Sequence, residues 1–264
     1  MPPPFQWGRR LWGHGKKMKT IKLQEFNQYS FQEANITTVL LSIGSTECHG
    51  GHLPFGCDTY VSYDLACDVA ARLENTVAAP PLWFGMSGHY SHQPMNISLT
   101  NDTLIRVIRD MLRSLISWGI EKILIINGHD GNIPPIEIAA RDIKIEHPDI
   151  GLAVLDAWWV TAGNLLPPDT FEAWNGMGHG GEGETSIALA MFPELCHMDQ
   201  AKGMIKEMDP NVKLIWNYQE LTDYGSNGAP EKATAEKGKK MKALLVDYLV
   251  DFVHRMDKQG WRYV

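Results

Sequence analysis

The sequence lacks the features that would place the protein in a membrane, on a nucleic acid or among disulfide-stabilised secreted proteins. It contains no run of 18 consecutive apolar residues, so no segment is predicted to cross a membrane as a helix. Lys and Arg total 24 against 31 Asp and Glu, a net charge of -7, and no basic stripe interleaved with aromatic residues is present. The four cysteines form no Cys-x-x-Cys pair. We therefore expect a cytoplasmic protein with reduced thiols that binds neither membranes nor nucleic acids.

The length of the chain, 264 residues, is sufficient for one sizeable hydrophobic core. No internal repeat, low-complexity tract or interdomain linker divides the sequence. Residues 1–17 are predicted to be a flexible N-terminal extension or an upstream addition, because Met18 opens a segment that could itself begin the chain. Residues 18–264 are predicted to form a single domain.

Short apolar runs alternate with segments whose apolar residues recur at helical spacing. The runs predict strands over residues 37–43, 76–80, 122–127 and 151–156. The helical spacing predicts helices over residues 60–73, 101–118, 134–146, 187–191 and 233–259, the first of them capped by Asp58 or Thr59. This alternation is typical of an α/β fold. The predicted architecture is a three-layer sandwich, in which a mostly parallel central sheet is flanked by helices on both faces.

Polar residues crowd together directly after the first predicted strand. Residues 44–58 read GSTECHGGHLPFGCD and contain Glu47, His49 and Asp58. Because Glu47 and His49 are two positions apart, their side chains point to the same side of an extended chain. Groups just past the carboxyl end of a buried strand lie where open α/β sheets place their binding sites. This stretch is therefore the first candidate site.

Two later segments add further candidate ligands. His129 follows the third predicted strand within the run NGHDGN, and His179, Glu182 and Glu184 lie within HGGEGETS. Taken alone, His129 would be interpreted as a histidine in a turn. Glu182 alone would be interpreted as a carboxylate that stabilises a helix N-terminus. Together with the first segment, they supply the carboxylates and imidazoles that zinc, manganese and iron bind. A metal pair sharing one carboxylate lowers the pKa of a bound water and polarises a carbonyl, which favours a hydrolytic site.

Other catalytic sites have less support in the sequence. Cys48 and Cys57 have histidines nearby but no known nucleophile context, so thiol catalysis is disfavoured. No Walker loop is present, and HGGEGETS is not the Gly-x-Gly-x-x-Gly run of dinucleotide-binding folds. His52 is interpreted as a structural histidine that forms a hydrogen bond with a nearby backbone group.

The three motifs GSTECHGGHLPFGCD, NGHDGN and HGGEGETS resemble those of the creatininase (creatinine amidohydrolase) family in their order and spacing. The resemblance extends from Met18 to the C-terminal helix, where ATAEKG at residues 233–238 is similar to the start of the family's closing helix. It implies an α/β metal-dependent hydrolase that holds two divalent ions, zinc, manganese or iron. It also implies a homo-oligomer, usually a hexamer.

The resemblance further implies roles for individual residues. Four of them would be metal ligands: Glu47 and His129 on one ion, His49 on the other, and Asp58 bridging the two. Beside the metals, Glu184 would be a further ligand or a proton carrier. His179 would be a general acid or base.

Three residues are predicted to contact a small-molecule substrate. Ser87 lies in a loop that family members use against substrate, Asp130 is adjacent to His129, and the Trp174 indole would form a wall for a flat polar ring. The chain departs from creatininase itself at Gly131, where creatininase has a glutamate ligand. The run PMNISL at residues 94–99 also differs from the Gly-Thr-Ile-Ser-like run of many members. Creatinine is therefore disfavoured as the substrate.

These inferences predict a metal-dependent hydrolase that cleaves the C–N bond of a small cyclic amide or formamide other than a peptide. Hydrolytic ring opening of a cyclic ketone or diketone in sugar or inositol catabolism is an alternative, because the motifs do not distinguish a nitrogen from a carbon leaving group. A non-catalytic metal-binding protein is an alternative of another class. Structural zinc sites, however, are usually closed and rich in cysteine.

Overall fold

The computed structural model describes residues 20–207, 209, 211–212 and 214–263, so the predicted extension over residues 1–17 lies outside the described residues. Four strands of the described chain form one sheet in the order β2, β1, β3, β4, and every neighbouring pair is parallel. The strands are β1 (Thr38–Ile43), β2 (Thr76–Ala78), β3 (Lys122–Asn127) and β4 (Gly151–Leu155). Each lies within two residues of its predicted bounds.

Seven α-helices accompany the sheet within the described residues. They are α1 (Gln28–Ala34), α2 (Cys57–Ala70), α3 (Asn101–Ser117), α4 (Ile133–Glu146), α5 (Trp158–Leu165), α6 (Glu182–Met191) and α7 (Ala235–Lys258). Short 3-10 turns interrupt the loops, including Gly88–Tyr90, Trp174–Gly176 and Tyr218–Glu220. Among the described residues, no helix combines the length and the apolar character that a membrane crossing needs.

The sheet is apolar on both faces because each central strand alternates its side chains between two cores. In β1, Leu40 packs into one core, while Val39 and Leu41 pack into the other. Helices α2, α5, α6 and α7 cover the first face, and α3 and α4 cover the second. Parallel strands buried on both faces are expected to be nearly continuous apolar runs, as these are. The predicted three-layer α/β sandwich with a parallel central sheet is confirmed.

Two helices begin earlier than their apolar patterns predict. Helix α2 begins at Cys57 rather than at residue 60, so Asp58 lies in its first turn and Gly56 is the N-cap. Helix α6 begins at Glu182 rather than at residue 187, which places Glu184 in its first turn. The predicted cap of α2 by Asp58 or Thr59 is therefore wrong. Apolar spacing does not mark these helix starts because polar residues of the candidate site occupy them.

Candidate metal centre

The three polar motifs meet at the carboxyl edge of the sheet. Strands β1 and β3 are paired in register up to Ile43 and Asn127, so the residues that follow them leave the sheet side by side. The first motif follows β1 and runs into α2, and His129 follows β3 by two residues. The loop before α6 approaches the same place, where His179 Nε2 forms a 2.6 Å hydrogen bond with the Cys48 carbonyl.

One cluster of candidate ligands contains Glu47, Asp58 and His129. His129 Nδ1 lies 3.1 Å from Glu47 Oε1 and 3.4 Å from Asp58 Oδ2. All three side chains are buried, with Glu47 fully inaccessible to solvent. Their ligand atoms are within 4.8 Å of one another, as a single ion would require.

A second cluster contains His49, Asp58 and Glu184. His49 Nε2 lies 2.8 Å from Asp58 Oδ1 and 4.0 Å from Glu184 Oε2. Asp58 therefore takes part in both clusters, with Oδ1 facing His49 and Oδ2 facing His129. This is the position that a carboxylate shared by two ions would take.

The three histidine rings are oriented so that one nitrogen of each faces the carboxylates. In each ring, one nitrogen lies within hydrogen-bond distance of a backbone carbonyl oxygen, which can only accept. The pairs are His49 Nδ1 with the Glu47 carbonyl at 3.2 Å, His129 Nε2 with the Met86 carbonyl at 3.0 Å, and His179 Nε2 with the Cys48 carbonyl at 2.6 Å. The other nitrogen of a neutral ring then presents its lone pair to the acidic cluster. Histidines that bind metals are commonly fixed in this way.

Unpartnered carboxylate oxygens give a direct test of whether these residues fit a cation. Glu47 Oε1 and Asp58 Oδ2 are buried and accept no hydrogen bond from the described residues, although His129 Nδ1 lies near both. A buried anionic oxygen without a donor is strongly destabilised. A divalent cation between these oxygens and the imidazole lone pairs would remove that cost. The donor set therefore fits a metal site.

Buried negative charge also shapes the protonation of the centre. Burial lowers the pKa of His49, but Asp58, Glu184 and Glu47 outweigh this effect and raise it to about 10. Burial raises the pKa of Glu184 to about 7, despite the opposing effect of His49. A divalent cation in contact with Glu184 would instead favour its ionised form.

His179 occupies the side of the centre that faces the cavity. Its Nδ1 lies 3.6 Å from Glu47 Oε1, and its ring centroid lies 4.1 Å from that of His49. Burial and the neighbouring His49 hold the pKa of His179 well below its usual range, so its imidazole is neutral. A neutral imidazole with a free lone pair can bind a metal or accept a proton.

Residues of the same motifs orient these ligands without joining the clusters. Asn127 Oδ1 accepts a 3.1 Å hydrogen bond from the His129 backbone N–H, and its Nδ2 donates to the His129 carbonyl at 2.7 Å. His52 is buried, and its Nε2 lies 3.1 Å from the Gly180 carbonyl. The Gly180 N–H in turn donates to Glu184 Oε2 at 2.6 Å. His52 thus has the backbone partner expected of a structural histidine.

At Gly131, where the family resemblance implies a departure from the glutamate of creatininase, the local packing leaves no room for a side chain. A Cβ atom at this position would lie 2.1 Å from the Met86 carbonyl oxygen and 2.6 Å from His129 Nε2. Any larger residue would require a different path for the backbone. In this chain, the carboxylate of Glu184 lies beside His49 and Asp58 instead.

A cavity of about 580 Å³ opens directly onto the candidate ligands. Asp58, His129, His179 and Glu184 line it, whereas Glu47 and His49 are fully buried and do not. The cavity also has an aromatic wall, formed by Tyr90, Trp159, Trp174, Trp216 and Tyr218. A few convergent polar groups beside apolar rings are typical of small-molecule sites.

The three predicted substrate contacts are distributed unequally around this cavity. Asp130 and Trp174 line it. Ser87 is buried, donates a 2.6 Å hydrogen bond to Asn96 Oδ1, and is not among the lining residues.

Most residues of the aromatic wall were not predicted from the sequence. Tyr90 and Tyr218 are nearly inaccessible to solvent, and their ring centroids lie 4.3 Å apart. Trp216 and Tyr218 belong to a loop-rich stretch from which no function was inferred. Two aromatic residues two positions apart, directly after the apolar pair Leu214 and Ile215, were the available signal.

Comparison with known proteins identifies the family. The model of the family Creatininase, described as creatinine amidohydrolase, matches residues 20–253. The mycofactocin precursor peptide peptidase of Mycobacterium ulcerans (strain Agy99) is 27% identical over 230 residues, which cover 83% of this chain and 85% of that protein. The 3-dehydro-scyllo-inosose hydrolase of Thermotoga maritima is 29% identical over 246 residues, which cover 81% of this chain and 76% of that protein.

A solved structure described as Creatininase Mn has the same fold. Its TM-score is 0.75 at 24% sequence identity, and the match covers 90% of this chain and 98% of that chain. The family match spans most of the described residues and includes all three motifs. The chain therefore belongs to the creatininase (creatinine amidohydrolase) family of metal-dependent hydrolases.

Proposed function

We propose that this hydrolase cleaves the C–N bond of a small cyclic amide or formamide at a pair of divalent metal ions, zinc, manganese or iron. Glu47, Asp58 and His129 would hold one ion. His49, Asp58 and Glu184 would hold the other. The observation that carries the proposal is the position of Asp58, whose two oxygens face two separate imidazoles inside a buried acidic cluster.

Two metal ions held in this way would supply an activated water at neutral pH and polarise the scissile carbonyl. The residues of the chain would orient the substrate and move protons. Glu184 groups with His49 and Asp58, and His179 groups with Glu47 and His49. We assign Glu184 to metal binding and His179 to proton transfer, the role that the family resemblance implies for His179. Neutral His179 would accept a proton at Nδ1 and deliver it to the leaving nitrogen. The Cys48 carbonyl holds the opposite edge of the ring through Nε2.

The aromatic wall supports a substrate with a planar face. Trp174 and Trp216 offer indole rings at the cavity, and Asp130 offers a carboxylate beside His129. A cavity of about 580 Å³ falls within the range of sites for drug-sized molecules, so the substrate can carry groups beyond a single small ring.

A second candidate is the hydrolytic opening of a cyclic ketone or diketone. It is favoured by the similarity to the inosose hydrolase of Thermotoga maritima, at 29% identity. The same residues would hold the metal ions in this reaction. The leaving atom would be carbon, and His179 would protonate that carbon. The family resemblance also supports a homo-oligomer, which we propose to be a hexamer.

Metal analysis combined with a substrate screen tests these proposals. Elemental mass spectrometry of the purified protein should find about two divalent ions per chain, as a two-metal site requires. The metal-loaded protein should then hydrolyse members of a panel of cyclic amides, formamides, peptide amides and cyclic ketones. Turnover of the ketones alone would replace the first candidate with the second. Full metal occupancy without turnover of any compound would favour a non-catalytic metal-binding protein.

The oligomeric state has a separate test. Tyr60 and Trp83 are each more than one-third exposed, and their rings pack edge to face at 5.4 Å. Large contiguous apolar patches mark interfaces between subunits, and we propose that these two rings belong to such an interface. Light scattering coupled to size exclusion should give six times the mass of the chain, and a monomer at micromolar concentration would contradict the proposal.

A further inference from the structure

Glu182 is a fully buried carboxylate of the third motif that belongs to neither metal-ligand cluster. Both of its oxygens are occupied by donors. Oε1 accepts a 2.6 Å hydrogen bond from Lys237 Nζ, and the two oxygens accept hydrogen bonds of 3.0 to 3.1 Å from the backbone N–H groups of Glu172 and Ala173. The first turn of α6 is thereby connected to the first turn of α7 and to the loop before the 3-10 turn at residues 174–176.

That 3-10 turn has an unusual backbone. Trp174, Asn175 and Gly176 have φ values of 46°, 52° and 78° in succession. Glycine adopts the left-handed region readily, but tryptophan and asparagine do so at a cost in free energy. Such a conformation persists only where the surrounding structure holds it, and it is frequent at ligand-binding sites.

Separate contacts hold the two ends of the turn. After Trp174, the side chain of Asn175 packs against Gly163 of α5, and Gly176 packs against the ring of Phe171. Before Trp174, the backbone is held by Glu182, whose hydrogen bonds end at Ala173. The Trp174 indole is itself 36% exposed and lines the cavity, so its own packing constrains it weakly.

We propose that the Glu182–Lys237 ion pair positions Trp174 in the cavity wall, so that Glu182 and Lys237 are positioning residues for substrate binding. Lys237 neutralises the buried carboxylate and leaves its oxygens directed at the backbone of residues 172 and 173. Without the lysine, an unpaired buried charge would recruit water or move, and the backbone before Trp174 would lose its anchor. The link to substrate rests on the proposed function, whereas the link to Trp174 does not.

The fluorescence of Trp174 tests the positioning step without any substrate. In each background, subtracting the emission spectrum of a W174F variant isolates the contribution of Trp174. In Lys237→Met, we expect this contribution to shift to longer wavelength and to be quenched more strongly by acrylamide than in the unmodified protein. Lys237→Arg should restore both values, because a guanidinium can donate to the same carboxylate.

Lys242→Met is the matched control. Lys242 lies on the same helix and pairs with Asp68 at 2.7 Å, but it does not contact the loop that carries Trp174. Its removal should leave the Trp174 spectrum and quenching unchanged. Metal content should stay unchanged in both lysine variants, because neither residue belongs to the ligand clusters.

Kinetics then connect the position of Trp174 to substrate. With a compound turned over in the screen, Lys237→Met should raise KM by about fivefold to tenfold and change kcat by less than about twofold, as expected when binding is lost equally in the ground and transition states. Combining Lys237→Met with W174F should add little to the effect of W174F alone.

An unchanged Trp174 spectrum in folded Lys237→Met protein would overturn the inference, whether or not the chain hydrolyses any compound in the screen. If Lys237→Met does not fold, as judged by circular dichroism, Glu182→Gln provides the second measurement. Glutamine keeps the size of the side chain but breaks the ion pair, so the Trp174 contribution should again shift to longer wavelength, and an unchanged spectrum would overturn the inference. Failure of both variants to fold would also overturn the inference, since the ion pair would then be a requirement of folding. A substrate screen without turnover would contradict the proposed function but leave the fluorescence result decisive.

Discussion

The two sides of the cavity are built from different kinds of structure. On the polar side, His129 follows β3 by two residues, and Asp58 and Glu184 lie in the first turns of α2 and α6. On the aromatic side, Tyr90, Trp174 and Tyr218 lie in short 3-10 turns within loops, whereas Trp159 lies on α5. Regular elements hold side chains more precisely than loops do, and loops tolerate substitution more readily. We therefore expect the residues of the aromatic side to tolerate substitution more readily than the residues of the polar side.

The strongest test of this division is Asp58→Ala, which removes the carboxylate common to both clusters. We expect loss of both metal ions and a fall in activity of about 10³-fold or more, since the two ions act as a unit. Elemental analysis would measure the metal content, and steady-state kinetics would measure the activity. Asp64→Ala, on the same helix but outside the clusters, should retain metal and activity. A fully active Asp58→Ala protein without metal would contradict the proposed function.

Glu184→Gln should have a smaller effect that is confined to one ion. Glutamine can still accept the hydrogen bond from the Gly180 N–H, but it lacks the charge of the carboxylate. We expect the affinity for one ion to fall by about 10- to 100-fold, while the other ion stays bound through Glu47, Asp58 and His129. Native mass spectrometry at limiting metal would show one ion per chain. Glu194→Gln, at an exposed site, is the control and should keep both ions. If the Glu184 variant also binds two ions, Glu184 is a proton carrier and not a metal ligand.

Trp216→Ala examines the aromatic side alone. The Trp216 ring packs edge to face with His89 at 5.3 Å and lines the cavity without touching a candidate ligand. We expect KM to rise by about tenfold, which is the loss of about 1.4 kcal/mol of binding, with metal content unchanged. Trp118→Ala, at a site that is 67% exposed, should change neither value. A loss of metal from the Trp216 variant would show that the two sides are not independent.

Tyr218→Phe should have the smallest effect on activity. Burial raises the pKa of Tyr218 well above its usual range, so its hydroxyl is a proton donor, but the His179 carbonyl that it approaches lies at 3.5 Å. That carbonyl also accepts a 2.9 Å hydrogen bond from the Asn227 N–H. We expect less than about a threefold change in kcat/KM, in line with a net hydrogen-bond contribution of about 0.5 kcal/mol. A loss of tenfold or more would place the hydroxyl in the reaction itself.

The same division explains what the sequence could and could not predict. The four strands were predicted closely because burial on both faces makes each a continuous apolar run. The proximity of Glu47 and His129 could be predicted because they follow strands that share one edge of the sheet. The starts of α2 and α6 were misplaced because site residues replace the apolar residues that would mark a helix. Trp216 and Tyr218 were missed because their approach to His179 depends on tertiary packing of a loop, which has no local pattern.

The 2.8 Å contact between His49 Nε2 and Asp58 Oδ1 has a consequence for how the centre would load. Two groups this close require something positive between them, and a proton or a divalent ion can fill that role. Metal uptake would then be an exchange reaction in which the ion displaces a proton into solvent. Loading would acidify a weakly buffered solution, and affinity would rise with pH until His49 no longer carried a proton to release. Acid would thus empty the centre by returning a proton to His49, without any competing ligand for the ion.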